Sequence, residues 1–143
     1  MPFDLDKRRE KLAEASGKCA DGNKIHFAVE NSEGKHIGVA LIHNIDEQHG
    51  NFGPIAIQIN VNERGKGYGV AVYQMLGNYM FNERRMHKWN SGYMEGNTGS
   101  AKLHKKIGFE VEGVRKDMVF INGKYRNEVI LGITAERFFM NNK

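Results

Sequence analysis

The residues best able to do chemistry lie in one short run, Arg64-Gly65-Lys66-Gly67-Tyr68-Gly69. An alternating apolar stretch precedes it and a stretch with helical spacing follows. A strand that passes through close-set glycines into a helix leaves several backbone N–H groups unpaired at the helix start. Those donors, with the positive end of the helix dipole, make a site for an anion, most naturally phosphate. Glycine serves there because a Cβ would hold a ligand off the backbone, and because some of these positions need positive φ. Arg64 and Lys66 add charge to the rim, which suits a pyrophosphate. Two familiar phosphate loops do not fit. No Lys-Ser or Lys-Thr pair closes the run as a P-loop requires, and Val70 stands where the dinucleotide fingerprint needs a third small residue. An ordinary glycine-rich turn remains the other reading of this spacing.

A second constellation follows at Asn97, Ser100, Ala101 and His104, which share one helical face at i, i+3, i+4 and i+7. Such a face can hydrogen-bond a ligand passing along the helix, while Leu103 and Ile107 on the adjoining arc point to the core. Asn97 is also a natural N-cap, and the two uses are compatible. His104 can donate a proton near neutral pH; the alternative is an inert surface residue. The six histidines show no paired i, i+4 spacing and Cys19 stands alone, so no metal site is expected. Tyr73, Tyr79 and Phe81 sit at core spacing, and Met118, Phe120 and Ile121 suit a hairpin core or a subunit contact.

These residues need elements to hold them. Ile55, Ile57, Ile59 and Val61 alternate with small or polar residues, predicting a strand over 54–61 with one buried face. From Gly69 to about Arg84 the apolar residues recur every three or four positions, predicting an amphipathic helix. Residues 87–94 read as a further strand, and 97–107 as a second helix stopped by Gly108. Upstream, 25–30 and 36–42 read as a hairpin. Downstream, 109–120 and 125–133 read as a longer one turning at Asn122-Gly123. A short helix over 4–16, capped by Asp4 or Asp6 and stopped by Gly17, completes the order. The expected fold class is α/β in the α+β sense, a mixed and mostly antiparallel central sheet flanked by helices, forming a single domain over 1–143.

Composition agrees. The 143 residues suffice for one domain and its core, with 40% hydrophobic and 27% charged residues. A net charge of +4 suits a polyanionic ligand without the dense basic clustering of a nucleic-acid binder. No apolar run approaches a membrane span, no secretory signal opens the sequence, and a lone cysteine fits a reducing compartment, so a cytoplasmic location is expected.

The residues also resemble a known family. The run from Arg64 to Gly69 is similar to the R/Q-x-x-G-x-G/A element of the GNAT superfamily of acetyl-CoA-dependent N-acetyltransferases. Asn97-x-x-Ser100-x-x-Leu103-His104-x-Lys106-x-Gly108-Phe109-x-x-Glu112-Gly113 is similar to its second element, in the form of the ribosomal-protein and spermidine N-acetyltransferase branch. Ile121 to Asn127 resembles the same branch, and the likeness spans roughly residues 24–136. It implies a GNAT-like fold that lacks the usual first strand and helix, and acetyl-CoA as cosubstrate with no metal. Coenzyme A would then lie against Ile59, Val61, Arg64, Gly65, Lys66, Gly67, Tyr68, Gly69, Asn97, Ser100 and Lys106. Many members carry Tyr where this chain has His104, a Tyr proposed to protonate the leaving thiolate; the resemblance makes His104 the catalytic candidate. No carboxylate lies in 54–61 to act as base, and Glu47, Glu63 and Glu95 have no positional support. The acceptor implied is a small-molecule or peptide amine, with neither nucleic acid nor membrane as partner and a homodimer allowed. The rival class is a non-catalytic acyl-CoA-binding module, and a third is a nucleotide-binding regulator.

Overall fold

The computed structural model describes residues 11–14 as backbone strand and residues 23–143 in full. Eight strands and three α-helices are seen there. Strands β1 (Lys11–Glu14), β2 (Ile25–Glu30), β3 (His36–Ile42) and β5 (Ile55–Ile59) make one sheet in the order β1-β2-β3-β5. Strands β4 (Asn51–Phe52), β6 (Lys88–Met94), β8 (Lys124–Thr134) and β7 (Glu110–Ile121) make a second, ordered β4-β6-β8-β7. Helices α1 (Tyr68–Asn78), α2 (Thr98–Ile107) and α3 (Ala135–Asn141) complete the domain.

Two sheets replace the single one expected, and the reason lies at residues 51–55. Asn51 and Phe52 pair in parallel with Lys88 and Trp89. The chain then turns through Gly53 (φ 113) and Pro54, and Ile55 onward pairs antiparallel with β3 instead. Gly53 passes so close to the Asn90 backbone that a Cβ would overlap its carbonyl oxygen. The chain therefore pairs with β6 through β4, leaves it at Gly53, and continues as β5 in the other sheet. That parting positions the site.

The helix expected over 4–16 is corrected where it can be seen. Residues 11–14 are extended and pair with β2, Leu12 opposite Val29 and Ala13 opposite Ala28; the rest of that segment and Cys19 lie outside the described residues. Two leucines seven apart are the only periodic support for a helix, and the open edge of β2 offers a full set of backbone partners that overrides so weak a local preference. The strand expected over 54–61 stops at Ile59. Asn60 N–H makes the last rung to the Ile37 carbonyl (2.8 Å), and Glu63 and Arg64 then close a 3-10 turn over Val61–Glu63. Helix α1 starts one residue early and widens into a π-helical turn over Tyr79–Glu83. The last hairpin turns as expected, with both Asn122 (φ 52) and Gly123 (φ 76) left-handed.

One core joins the layers. Trp89, fully buried, stacks on Phe52 at 5.5 Å and meets Phe109 edge-on at 4.9 Å. Helix α3, not foreseen in the sequence, is capped by the Thr134 hydroxyl and inserts Phe138 beneath Gly77 of α1. Asn142 Nδ2 donates to the Ile107 carbonyl (2.8 Å), so this helix also ties down the C-terminus of α2. Met118 and Phe120, which suit a hairpin core or a subunit contact by sequence, are 52% and 61% exposed.

Candidate active site

A cavity of about 480 Å³ opens where β5 and β6 part, walled by Ile55, Ile57, Gln58 and Ile59 on one side and Gly92 on the other. The register shows what β5 presents to it. The His43 N–H donates to the Pro54 carbonyl and the Asn60 N–H to the Ile37 carbonyl, so the even-numbered residues of this segment bond to β3. In an antiparallel ladder the odd-numbered ones must then aim their N–H and C=O groups at the opposite edge. Two of those outward carbonyls have partners. The Tyr73 hydroxyl donates to Ile55 O (3.0 Å) and Arg64 Nε donates to Ile59 O (3.0 Å). Ile57 thus directs both an N–H and a C=O into the cleft, and Ile59 an N–H.

At the mouth stands the glycine loop. Gly65 (φ 79) and Gly67 (φ 81) are both left-handed, and Gly67 caps α1. The first return bond of the helix is Ala71 N–H to Gly67 O (3.3 Å), which leaves the N–H groups of Tyr68, Gly69 and Val70 outside the helical ladder. Gly69 has ordinary helical φ, and a Cβ built there meets nothing within 4 Å. Neither backbone strain nor the protein's own packing explains glycine at this position. A cradle that a Cβ would fill fits a phosphate group resting on the amides. Lys66 faces elsewhere: its ammonium bonds Glu63 (2.9 Å), which also meets Lys35 at 3.5 Å. The Lys66 hydrogen bond holds the Glu63 carboxyl below its usual range, and Lys66 is raised in return.

Along the floor runs α2. Asn97 Oδ1 caps it by accepting from the Ser100 N–H (3.0 Å), which leaves the Asn97 amide NH2 for other partners. His104 is 1% exposed, so it is not a surface residue. Its Nδ1 lies 2.7 Å from the Ser100 carbonyl and its Nε2 lies 2.6 Å from Ser91 Oγ. A carbonyl only accepts, so Nδ1 carries the hydrogen; a neutral ring then accepts at Nε2 from the Ser91 hydroxyl. Burial lowers the His104 pKa, with the Ser100 bond opposing. The ring at rest is a neutral base. Burial also pushes Tyr73 up to about 12.

Of the site residues expected from the sequence, the cavity wall gathers Ile59, Arg64, Gly69, Asn97, Ser100 and His104. Gly65, Lys66, Gly67 and Tyr68 form the rim of the loop. Val61 lies in the 3-10 turn, 71% exposed, and neither it nor Lys106 is on the wall. Sequence reasoning misses Ile57, Tyr73 and Gly92. The spacing of Tyr73 marks it as core alone, although its place one turn beyond Gly69 on the same helix face is a usable signal. Among the described residues no group of three or more His, Cys, Asp or Glu could hold a metal ion, and no helix is long and apolar enough to cross a membrane.

A family model described as "Acetyltransferase (GNAT) domain" matches residues 1–110. The chain belongs to the GNAT acetyltransferase family. Its GNAT relatives include the SPbeta prophage-derived uncharacterized N-acetyltransferase YokL of Bacillus subtilis (strain 168), 28% identical over 141 residues, 99% of this chain and 77% of that protein. The [ribosomal protein uS5]-alanine N-acetyltransferase of Escherichia coli (strain K12) is 28% identical over 117 residues, covering 80% of this chain and 59% of that enzyme. Among solved structures, spermidine N-acetyltransferase from Vibrio cholerae in complex with CoA and spermine superposes with a TM-score of 0.77 at 24% identity, over 83% of this chain and 70% of the other. That last likeness is one of fold. As a GNAT domain the chain is an acetyl-CoA-dependent N-acetyltransferase, the activity implied by the two sequence elements.

Proposed function

We propose that the cleft between β5 and β6 holds acetyl-CoA and delivers its acetyl group to a primary amine on a small molecule or a peptide. The observation that carries this is the outward edge of β5, which aims the Ile57 and Ile59 main-chain groups into a cavity that begins at a glycine loop. The amides of Tyr68, Gly69 and Val70, with Arg64 at the rim, hold the pyrophosphate. The pantetheine arm follows the β5 edge as an added strand, with Asn97 and Ser100 bonding its amides from α2. Gly65 and Gly67 supply the bend, while Lys66, paired with Glu63, stands away from the phosphates. The single cysteine suits a reducing, cytoplasmic setting.

Acetyl-CoA would supply an activated thioester and leave as the coenzyme A thiol; the chain supplies position and proton handling. An alkylammonium with pKa about 10.4 must lose its proton before attack, which costs roughly 4–5 kcal/mol at pH 7. The wall offers Arg64, Tyr73 and His104 as its titratable groups. Arginine stays charged and Tyr73 is held protonated, which leaves His104. It takes the proton at Nε2 through the Ser91 hydroxyl, and the imidazolium so formed is the acid for the departing sulfur. The Ile57 N–H is the donor placed for negative charge on the carbonyl oxygen.

The named activities of the relatives, on a ribosomal-protein alanine and on spermidine, support both acceptor types. Calorimetry with CoA and a thiol-release assay with acetyl-CoA and an amine panel test the reading. Saturable CoA binding, weakened at least tenfold by Arg64→Glu, together with amine-dependent release is the expected result. Binding without release for any amine would favour an acyl-CoA-binding module, and the absence of binding would reject the site itself.

A further inference from the structure

Both nitrogens of His104 are already engaged, Nδ1 with the Ser100 carbonyl at 2.7 Å and Nε2 with Ser91 Oγ at 2.6 Å. The ring can therefore offer the cleft only carbon atoms, and Ser91 is not on the cavity wall. A proton that leaves an amine in the cavity needs another atom by which to enter. Tyr73 of α1 is on the wall and provides one. Its ring stands edge-on to His104, with centroids 5.7 Å apart and planes at 88°. Its hydroxyl donates to the Ile55 carbonyl of β5 at 3.0 Å, and the Ser91 hydroxyl of β6 is its other hydrogen-bond partner. The phenol oxygen thus bridges the two strands, at the end of β5 remote from the glycine loop.

The three side chains can pass hydrogens in a line. Tyr73 has one hydrogen and two acceptors in reach, and a turn about its C–O bond moves that hydrogen from Ile55 O to Ser91 Oγ. Ser91 already gives its own hydrogen to His104 Nε2, so its oxygen can accept from the phenol. The other rings packed on the imidazole are Tyr93 and Phe109, at 5.7 and 4.8 Å between centroids, and neither brings a carboxylate or a cation to it. His104 is the base at the end of the line, and burial keeps it neutral until a proton arrives.

We propose that Tyr73 is a catalytic residue, the one that meets the reacting atoms and carries protons between the cleft and His104 through Ser91. This rests on the acetyl-transfer reading of the cavity. The ammonium proton bonds to Tyr73 Oη while the phenol hydrogen crosses to Ser91 Oγ and the Ser91 hydrogen to His104 Nε2. Each oxygen gains one hydrogen and loses one, so only the imidazole becomes charged and no phenolate forms. The neutral nitrogen then bonds to the acetyl carbon. As the C–S bond breaks the hydrogens return in reverse order, and the phenol gives its own to the sulfur, which leaves as a thiol. The second proton that the nitrogen sheds on becoming an amide goes to water.

The test measures kcat, both KM values and the pH–rate profile for wild type, Tyr73→Phe, Ser91→Ala and the double variant. Acetyl-CoA is the donor, the amine probes are spermidine, butylamine and a peptide with N-terminal alanine, and calorimetry follows CoA affinity. Each single variant should lower kcat by about a hundredfold, the usual worth of a positioned acid–base group, and lose the acidic limb that His104 sets. Both KM values and CoA affinity should stay within about twofold, since a group that acts only in the transition state lowers kcat and kcat/KM together. The double variant should lose no more than either single one, because residues that act as one unit are not additive. A double variant that loses the product of the two factors would break the relay, as would an acidic limb retained in Y73F. A higher acetyl-CoA KM at unchanged kcat in Y73F would make the phenol a strut between strands and overturn its catalytic role. S91A keeps the phenol and its bond to Ile55, so full kcat in S91A overturns the relay even where Y73F does not fold. Active wild type beside Y73F of equal kcat would overturn this proposal alone, whereas no thiol release from wild type with any amine would remove the acetyl-transfer reading with it.

Discussion

His104 is the residue on which the proton economy of the site turns, and its surroundings set its sign. With Nδ1 donating to a carbonyl and the ring buried, the imidazole prefers to be neutral, so its folded pKa lies below the ordinary value. The unfolded chain then binds a proton that the folded one refuses. The stability this contributes is complete above about pH 6.5 and is lost as pH falls through that value toward the lowered folded pKa. His43, lowered chiefly by burial, acts in the same sense but is common to any pair of variants that keeps it. Melting temperatures of wild type and His104→Gln should therefore converge between pH 7.5 and pH 5. In the same variant kcat should fall by about a hundredfold, the usual worth of a positioned acid–base group, with CoA affinity retained. A pH–rate profile that keeps its acidic limb in H104Q would remove the imidazole from the mechanism.

At the scale of elements, the loop and α1 separate two uses of glycine. Gly67 is left-handed at φ 81, so Gly67→Ala strains the cap and should cost about 1 kcal/mol of stability. Gly69 is helical in open space, so Gly69→Ala should be neutral or stabilise by up to about 1 kcal/mol while weakening CoA binding at least tenfold. Urea midpoints and calorimetry on both variants check this, and unchanged CoA affinity in G69A would take the phosphate away from that amide. The loop is legible in the amino-acid sequence because glycine spacing and a change of hydrophobic period are local signals. The Asn97 cap and the stop at Gly108 are legible for the same reason. What is not legible depends on contacts distant in sequence. Residues 11–14 become a strand only because β2 has an edge to fill, and α3 shows its purpose only once Phe138 finds Gly77. Tyr73 looks like core because its ring is core; its hydroxyl is given meaning by Ile55, eighteen residues away.

The whole molecule works as two sheets that share a beginning and then part. Nothing in the alternation of Ile55, Ile57 and Ile59 says which neighbour their main-chain groups will face, and a single continuous sheet would have consumed them all. Because β4 pairs with β6 while β5 pairs with β3, the outward groups of β5 have no strand beside them among the described residues. Backbone groups in a cleft demand a partner, and a bound pantetheine amide chain is one that fits an extended edge. Hydrogen exchange reads this directly. The Ala56 and Gln58 amides already bond to β3 and should exchange slowly with or without ligand. The Ile57 and Ile59 amides face the cleft and should exchange quickly in the free protein, then slow at least tenfold when CoA saturates it. Protection that appears at Gln58 rather than Ile57 would mean that the ligand docks on the sheet face and not in the parting of the strands. Unchanged exchange at both, with CoA shown by calorimetry to be bound, would place the arm outside the cleft altogether.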